Sequence, residues 1–344
     1  MSVRTLVQSW LSPRGAAGVA RKRRLRIHEQ TLALFGGRSH PRLAARVGDE
    51  LGIELGRVEL DTFENGEAYC RYGESIRGSD VFIVQSCAPP VNDHLMELLL
   101  MIEAARLASA HRVTAVMPWY PYARQDRKAA PREPISGRLV ADLLQAAGAD
   151  RVVTLDLHAG QIQGFFSIPV DHATALPLFA RHMLSRGLRG ADVVAVAPDL
   201  GRVKLARRLS RLLECDVAVV TKDRPRREVA ESHELIGRVR GRTAIVGDDM
   251  IVTGGTIVAA TDVLLEAGAE RVVTFATHGL FPGDALERLV ASDLSELVVT
   301  DSVPVEHESA KLTVLSIAPL LAQTIDAIFA NRSVSAMFAG QEVF

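Results

Sequence analysis

Two stretches of this chain, 120 residues apart, read almost alike. Ala147-Gly148-Ala149-Asp150-Arg151-Val152-Val153-Thr154 recurs as Ala267-Gly268-Ala269-Glu270-Arg271-Val272-Val273-Thr274, and His158 recurs as His278. Each copy leaves a helix through a glycine, which tolerates the left-handed conformation that ends helices, and enters a continuous apolar run. A repeat of that kind demands two copies of one helix-to-strand unit. The 344 residues leave room for two domains to hold them.

The rest of the chain follows the same alternation from Thr31 onward. Strands are expected at 81–84, 113–117, 152–157, 193–197, 217–220, 244–246, 272–275 and 297–300, mostly as unbroken apolar runs. Such runs mark parallel strands covered by helices on both faces. Helices are expected at 93–108, 136–147 and 255–267 between them. The class is therefore α/β.

Composition removes several alternatives. Apolar residues make up 48% and charged residues 24%, enough for a large core and too balanced for a disordered polymer. The longest charge-free runs, such as 312–325, fall short of the ~20 residues that span a bilayer, so no membrane partner is expected. Cys70, Cys87 and Cys215 lack the spacing of a zinc site or a disulfide framework, which points to a reducing, cytoplasmic setting. Residues 1–30 carry seven Arg and Lys against one Glu, leaving an acidic remainder. An acidic body is a poor general binder of nucleic acid, so nucleotide recognition must come from local sites.

The sharpest such site is Asp248-Asp249-Met250-Ile251-Val252-Thr253-Gly254-Gly255-Thr256, preceded by the apolar run 244–246. A buried strand delivers two carboxylates to its C-terminal end, where open parallel sheets bind ligands. A Gly-rich turn then opens a helix, whose N-terminal N–H groups attract a phosphate. The two acids accept hydrogen bonds from sugar hydroxyls. Together these features describe a cradle for ribose 5-phosphate. No Gly-Lys dipeptide occurs anywhere, which excludes a Walker A loop.

This segment resembles the phosphoribosyl pyrophosphate loop of type I phosphoribosyltransferases. Pro118-Trp119-Tyr120-Pro121-Tyr122-Ala123-Arg124-Gln125-Asp126-Arg127-Lys128, Asp156-Leu157-His158-Ala159-Gly160-Gln161-Ile162-Gln163-Gly164-Phe165-Phe166 and Ser333-Val334-Ser335-Ala336-Met337-Phe338 narrow the match. Over about 31–338 the chain is similar to the ribose-phosphate pyrophosphokinase family, in its phosphate-activated class. The resemblance implies two tandem phosphoribosyltransferase-like domains with mostly parallel sheets. Their expected extents are 31–174 with the tail 333–344, and 175–332 carrying the sugar-phosphate loop. Residues 1–30 are then a basic extension without a fold of its own.

The implied reaction moves the β,γ-pyrophosphoryl group of MgATP to the C1 hydroxyl of ribose 5-phosphate. By resemblance, Lys222 and Arg224 are the catalytic cations on a loop that closes over the migrating phosphoryl group. Cations delivered there stabilise charge spread over phosphoryl oxygens in a loose transition state. Phe63, Asn65 and Glu67 match the adenine clamp, and Arg124, Gln125, Asp126 and His158 match the other ATP contacts. His158 and Asp199 match the contacts to the cofactor Mg²⁺. Asp248, Asp249, Val252, Thr253, Gly254, Gly255 and Thr256 hold ribose 5-phosphate. Ser75, Arg77, Gln163, Ser333, Ser335 and Phe338 match a site for inorganic phosphate, with ADP competing there. The family's clamp and its ATP loop meet across subunits, which implies a homo-oligomer of the hexamer-of-dimers type.

Three positions depart from the family's pattern. Arg202 stands in the Asp199-Leu200-Gly201-Arg202 turn where a second glycine is usual, which puts the approach of the pyrophosphate in doubt. Asp223 lies between Lys222 and Arg224 where many relatives have Arg, and Val252 replaces a frequent Asp. These departures favour a non-catalytic regulatory homologue, whereas intact Lys222, Arg224, His158 and Asp199 favour an enzyme. A true phosphoribosyltransferase is disfavoured by the adenine clamp and the duplication.

Overall fold

A computed structural model describes residues 26–27, 30–223 and 232–338 of the chain. The chain divides into two compact units. Among the described residues, one unit comprises 26–174, 302–304 and 316–338, and the other comprises 175–301 and 305–315.

The first unit opens with β1 (Arg26–Ile27) and β2 (Gln30–Gly36) and the helix α1 (Pro41–Leu51). His40 caps α1 by accepting from the Leu43 N–H, and Pro41 supplies a first residue that needs no N–H partner. An antiparallel hairpin, β3 (Val58–Thr62) and β4 (Ala68–Tyr72), stands apart from the main sheet. Then come β5 (Asp80–Val84), α2 (Val91–Leu107), β6 (Arg112–Met117), α3 (Ser136–Ala147), β7 (Arg151–Leu155) and β8 (Val170–Ala173). The sheet order is β1-β2-β5-β6-β7-β8, parallel from β2 to β8. Every residue of β5 is buried, as the unbroken apolar run requires.

The second unit holds α4 (Leu176–Ser185), β9 (Val193–Ala197), α5 (Val203–Leu213), β10 (Asp216–Asp223), β11 (Ser232–Ile236) and β12 (Thr243–Ile251). It continues through α6 (Gly255–Glu266), β13 (Arg271–Gly279), α7 (Ala285–Ala291), β14 (Glu296–Thr300) and β15 (Leu312–Leu315). Its sheet order is β11-β10-β9-β12-β13-β14-β15, with β11 alone antiparallel to its neighbour. The fold is thus α/β with mostly parallel sheets in both units.

The last helix, α8 (Ala318–Phe329), belongs to the first unit, where it packs on α1. Of the expected C-terminal domain 175–332, residues 302–304 and 316–332 therefore belong to the first unit instead. Nine residues of α8 are buried, so it needs covering on more than one face, and α1 provides part of the cover.

The repeat is visible in hydrogen bonds. In one copy the Gly148 and Ala149 N–H groups donate to Gln145 and Leu144, with Gly148 at φ +104°. In the other, Gly268 and Ala269 donate to Leu265 and Leu264, with Gly268 at φ +89°. Each strand then enters its sheet identically, Arg151 opposite Thr114 and Arg271 opposite Thr243. The copies differ in topology. In the first unit β2, β5, β6, β7 and β8 lie in chain order, whereas in the second the chain runs from β9 to β10 on one side and returns to β12 on the other. Among the described residues, only the second sheet therefore reverses direction, between β9 and β12.

Candidate functional site

A reversal of this kind is where open α/β sheets form a ligand crevice, at the C-terminal ends of the strands, here β9 and β12. Val246 of β12 pairs with Val196 of β9, so Asp248 and Asp249 project just beyond the end of β9, beside the turn that begins at Asp199. Asp199 caps that 3₁₀ turn, its Oδ1 accepting from the Arg202 N–H at 3.1 Å.

Arg202 occupies the acid pair. Its Nε donates to Asp248 Oδ1 at 2.6 Å and its Nη2 donates to Asp249 Oδ1. The side chains are 18%, 16% and 7% exposed for Arg202, Asp248 and Asp249, so the cluster is largely removed from water. The Asp249 N–H adds a 2.8 Å bond to Asp248 Oδ1. Burial, and then the adjacent Asp249 carboxylate, pushes Asp248 well above the usual carboxylate range, with Arg202 pulling the other way. Burial also works against the guanidinium charge, but Asp249 and Asp248 outweigh it and hold Arg202 protonated. The sequence reading expected Arg202 to crowd a passing pyrophosphate; the structure folds it onto the two acids instead.

The rim of the same crevice is the 252–256 turn. Gly254 lies at φ +75° and its carbonyl accepts from Ile257 and Val258, which starts α6. The first-turn N–H groups of α6, among them Gly255 and Thr256, have no partner inside the helix. Val252 and Thr256 are half-buried and Thr253 is exposed. Acceptors for sugar hydroxyls and donors for a phosphate thus stand at the end of one strand.

Lys222 lies near the end of β10, opposite His233 of β11. Its backbone therefore belongs to the same sheet edge, next to β9. Arg224 lies outside the described residues.

In the first unit the expected nucleotide contacts fall in two places. Phe63, Asn65 and Glu67 form the tip of the β3–β4 hairpin, closed by the Phe63 N–H on the Glu67 carbonyl at 2.8 Å. The Asn65 side chain accepts from the Glu67 N–H at 3.1 Å, and Phe63 is 54% exposed with its ring edge-on to Tyr69. Arg124, Gln125 and Asp126 follow β6, and His158 follows the neighbouring β7. Gln161 donates to Asp126, tying the two loops together, and Ser136 Oγ donates to Gln125 Oε1 at 2.6 Å.

The hairpin has a buried foundation that the sequence reading missed. Glu97, 1% exposed, sits inside the apolar face of α2 and accepts from Gln85 at 2.8 Å and from the Arg38 N–H at 2.7 Å. Arg38 also pairs with Glu97 through Nε and reaches Thr62 Oγ1, at the end of β3, at 3.1 Å. The signal was a lone acid inside Leu95-Met96-Glu97-Leu98-Leu99-Leu100. A buried charge needs a partner, and Arg38 supplies it.

The expected phosphate-site residues all belong to the first unit. Ser75 and Arg77 are exposed, with Arg77 donating to Ser109 Oγ at 3.2 Å. Gln163 lies in the 3₁₀ turn 160–165, and Ser333 and Ser335 share a 3.0 Å hydroxyl contact before the turn that ends at Phe338.

His158 and Asp199 belong to different units, and no cluster of three or more His, Cys, Asp or Glu suited to a metal occurs among the described residues. One imidazole and one carboxylate do not make a resident cage. An ion such as Mg²⁺ prefers oxygen ligands, keeps several waters and travels on substrate phosphates, so it needs no resident cage. No helix among the described residues is long and apolar enough to cross a membrane.

Comparison with known proteins agrees with this layout. A family model for the N-terminal domain of ribose phosphate pyrophosphokinase matches residues 32–148, and one for the phosphoribosyl synthetase-associated domain matches 195–339. The ribose-phosphate pyrophosphokinase of Caldanaerobacter subterraneus is 48% identical over 313 residues, covering 90% of this chain and 99% of the relative. That of Corynebacterium efficiens is 48% identical over 317 residues, covering 91% and 97%. A solved phosphoribosylpyrophosphate synthetase from Mycobacterium smegmatis superposes with a TM-score of 0.83 at 47% identity, covering 87% of this chain and 99% of that one.

Proposed function

Because this chain belongs to the ribose-phosphate pyrophosphokinase family, we propose that it transfers the β,γ-pyrophosphoryl group of ATP to the C1 hydroxyl of ribose 5-phosphate, releasing AMP. The observation that carries the assignment of its sugar site is the coincidence of the Asp248–Asp249 pair and the 252–256 turn at the one sheet reversal. The turn and the first N–H groups of α6 take the 5-phosphate, and the acid pair takes the ribose hydroxyls. Phe63 stacks on adenine, Asn65 and Glu67 read its edge, and Arg124, Gln125, Asp126 and His158 contact the nucleotide. His158 in the first unit and Asp199 in the second are the candidate contacts for Mg²⁺, which would neutralise charge on the ATP phosphates when bound.

Lys222 and Arg224 supply positive charge to the migrating group, whose oxygens gain negative character in the transition state. Inorganic phosphate at Ser75, Arg77, Gln163, Ser333, Ser335 and Phe338 activates, and ADP opposes it. The enzyme works in the cytoplasm as a homo-oligomer.

The test is AMP release from ATP and ribose 5-phosphate. AMP formation should require both substrates, and ATP hydrolysis independent of the sugar would overturn the reading. Lys222→Ala and Arg224→Ala should each slow turnover at least about a hundredfold, with ATP binding retained, since their cations act mainly in the transition state. A loss confined to KM would contradict the role.

A further inference from the structure

Arg202 presents two parallel N–H donors to two adjacent carboxylates. A vicinal diol presents two O–H donors at a similar spacing. If the acid pair is the sugar's hydroxyl site, as proposed above, guanidinium and sugar compete for the same oxygens. Asp248 Oδ1 is already committed twice, to Arg202 Nε at 2.6 Å and to the Asp249 N–H at 2.8 Å. Little room is left there for a third donor.

We propose that Arg202 is a built-in occupant of the diol site, displaced by ribose 5-phosphate and then engaged as a ligand of the substrate phosphates. Charge accounting gives the second half of the idea. The diol is neutral, so it replaces the arginine's hydrogen bonds without replacing its charge. A guanidinium only 18% exposed, released from those two acids with Asp199 still nearby, gains by meeting a further anion. The anions brought to this crevice are phosphate oxygens, and guanidinium is well matched to them.

The pivot is local. The Arg202 backbone N–H is held by Asp199 Oδ1 at 3.1 Å, and Val203 begins α5, so the side chain can swing while its Cα stays in place. Here the occupant sets a cation against two neighbouring carboxylates before substrate arrives, and it later adds a cation near the reacting phosphates.

The direct test is a crystal structure of the enzyme with ribose 5-phosphate and a non-hydrolysable ATP analogue. The Arg202 guanidinium should lie beyond hydrogen-bond distance of both carboxylates and within it of a phosphate oxygen. A fork still closed on Asp248 and Asp249 with sugar bound would overturn the proposal. A sugar bound away from the acid pair would instead overturn the site assignment on which it rests.

Kinetics provide a second arm, with Arg202→Lys retaining charge and Arg202→Gly removing it. Lysine cannot fork both acids, so Arg202→Lys should leave the ribose 5-phosphate KM within about threefold. Arg202→Gly should lower kcat at least tenfold. Equal kcat in Arg202→Gly and the parent protein would exclude a phosphate contact in the reacting state. Asp249→Asn in the parent background separates the two failures, because unchanged sugar affinity there removes the acid pair from the site altogether.

Discussion

At the scale of single residues, the 252–256 turn ranks its own members. Gly254 sits at φ +75°, and a Cβ there would come within 2.8 Å of Leu289 Cγ. Both the backbone conformation and the packing reject a side chain. Gly254→Val should therefore abolish measurable ribose 5-phosphate binding while leaving nucleotide binding in place. Val252 lies in the same turn without a special backbone angle, and in the proposed cradle the phosphate would be held by N–H groups that any residue supplies. Val252→Asp should change the ribose 5-phosphate KM only a few-fold. Isothermal titration of both variants checks the ranking, and equal losses would mean that side chains dominate the cradle. The acid pair and this turn were legible because strand, carboxylates and glycines are neighbours in the chain. The partner of Arg202 was not, since 46 residues separate it from Asp248 and only the sheet order brings them together.

At the scale of elements, legibility followed burial. Strands such as β5, β9 and β14 are buried throughout, and their apolar stretches 81–84, 193–197 and 297–299 are what the sequence shows. The β3–β4 hairpin does not, because it is partly exposed and its residues are mixed in character. It is held to the first unit by tertiary bonds that no local pattern announces. Tyr72 Oη donates to the Met101 carbonyl in α2 at 2.8 Å, and Arg38 links Glu97 to the end of β3. Removing the Tyr72 hydroxyl as Tyr72→Phe should cost about 1 kcal/mol of stability, the net worth of a typical hydrogen bond. Phe63→Ala acts at the exposed tip of the same hairpin and should raise the ATP KM at least about tenfold with stability nearly unchanged, because an exposed surface site contributes little to folding. Thermal melts beside steady-state kinetics would separate the two effects. A large fall in melting temperature for Phe63→Ala would make that ring structural.

At the scale of the whole molecule, duplication and function part company. Both units keep the Gly-to-strand passage in the same register, at Gly148 and Gly268. Had binding been a property of the repeated unit, each chain would hold two sugar phosphates. The sheet orders argue otherwise. A crevice at strand ends opens where consecutive connections run to opposite sides of the sheet. That occurs between β9 and β12, while β2, β5, β6, β7 and β8 follow one another across the first sheet without reversal. The residues agree with the topology. Where β12 carries Asp248 and Asp249 into a Gly turn before α6, the equivalent strand β6 leads into Pro118-Trp119-Tyr120, with no acid pair and no glycine. Trp119 and Tyr120 are buried in the first unit. Titration of ribose 5-phosphate into the ATP-analogue complex should therefore saturate at one per chain. Gly254→Val should reduce that to none. A stoichiometry near two, or one site surviving in Gly254→Val, would show that the first unit kept a sugar site of its own.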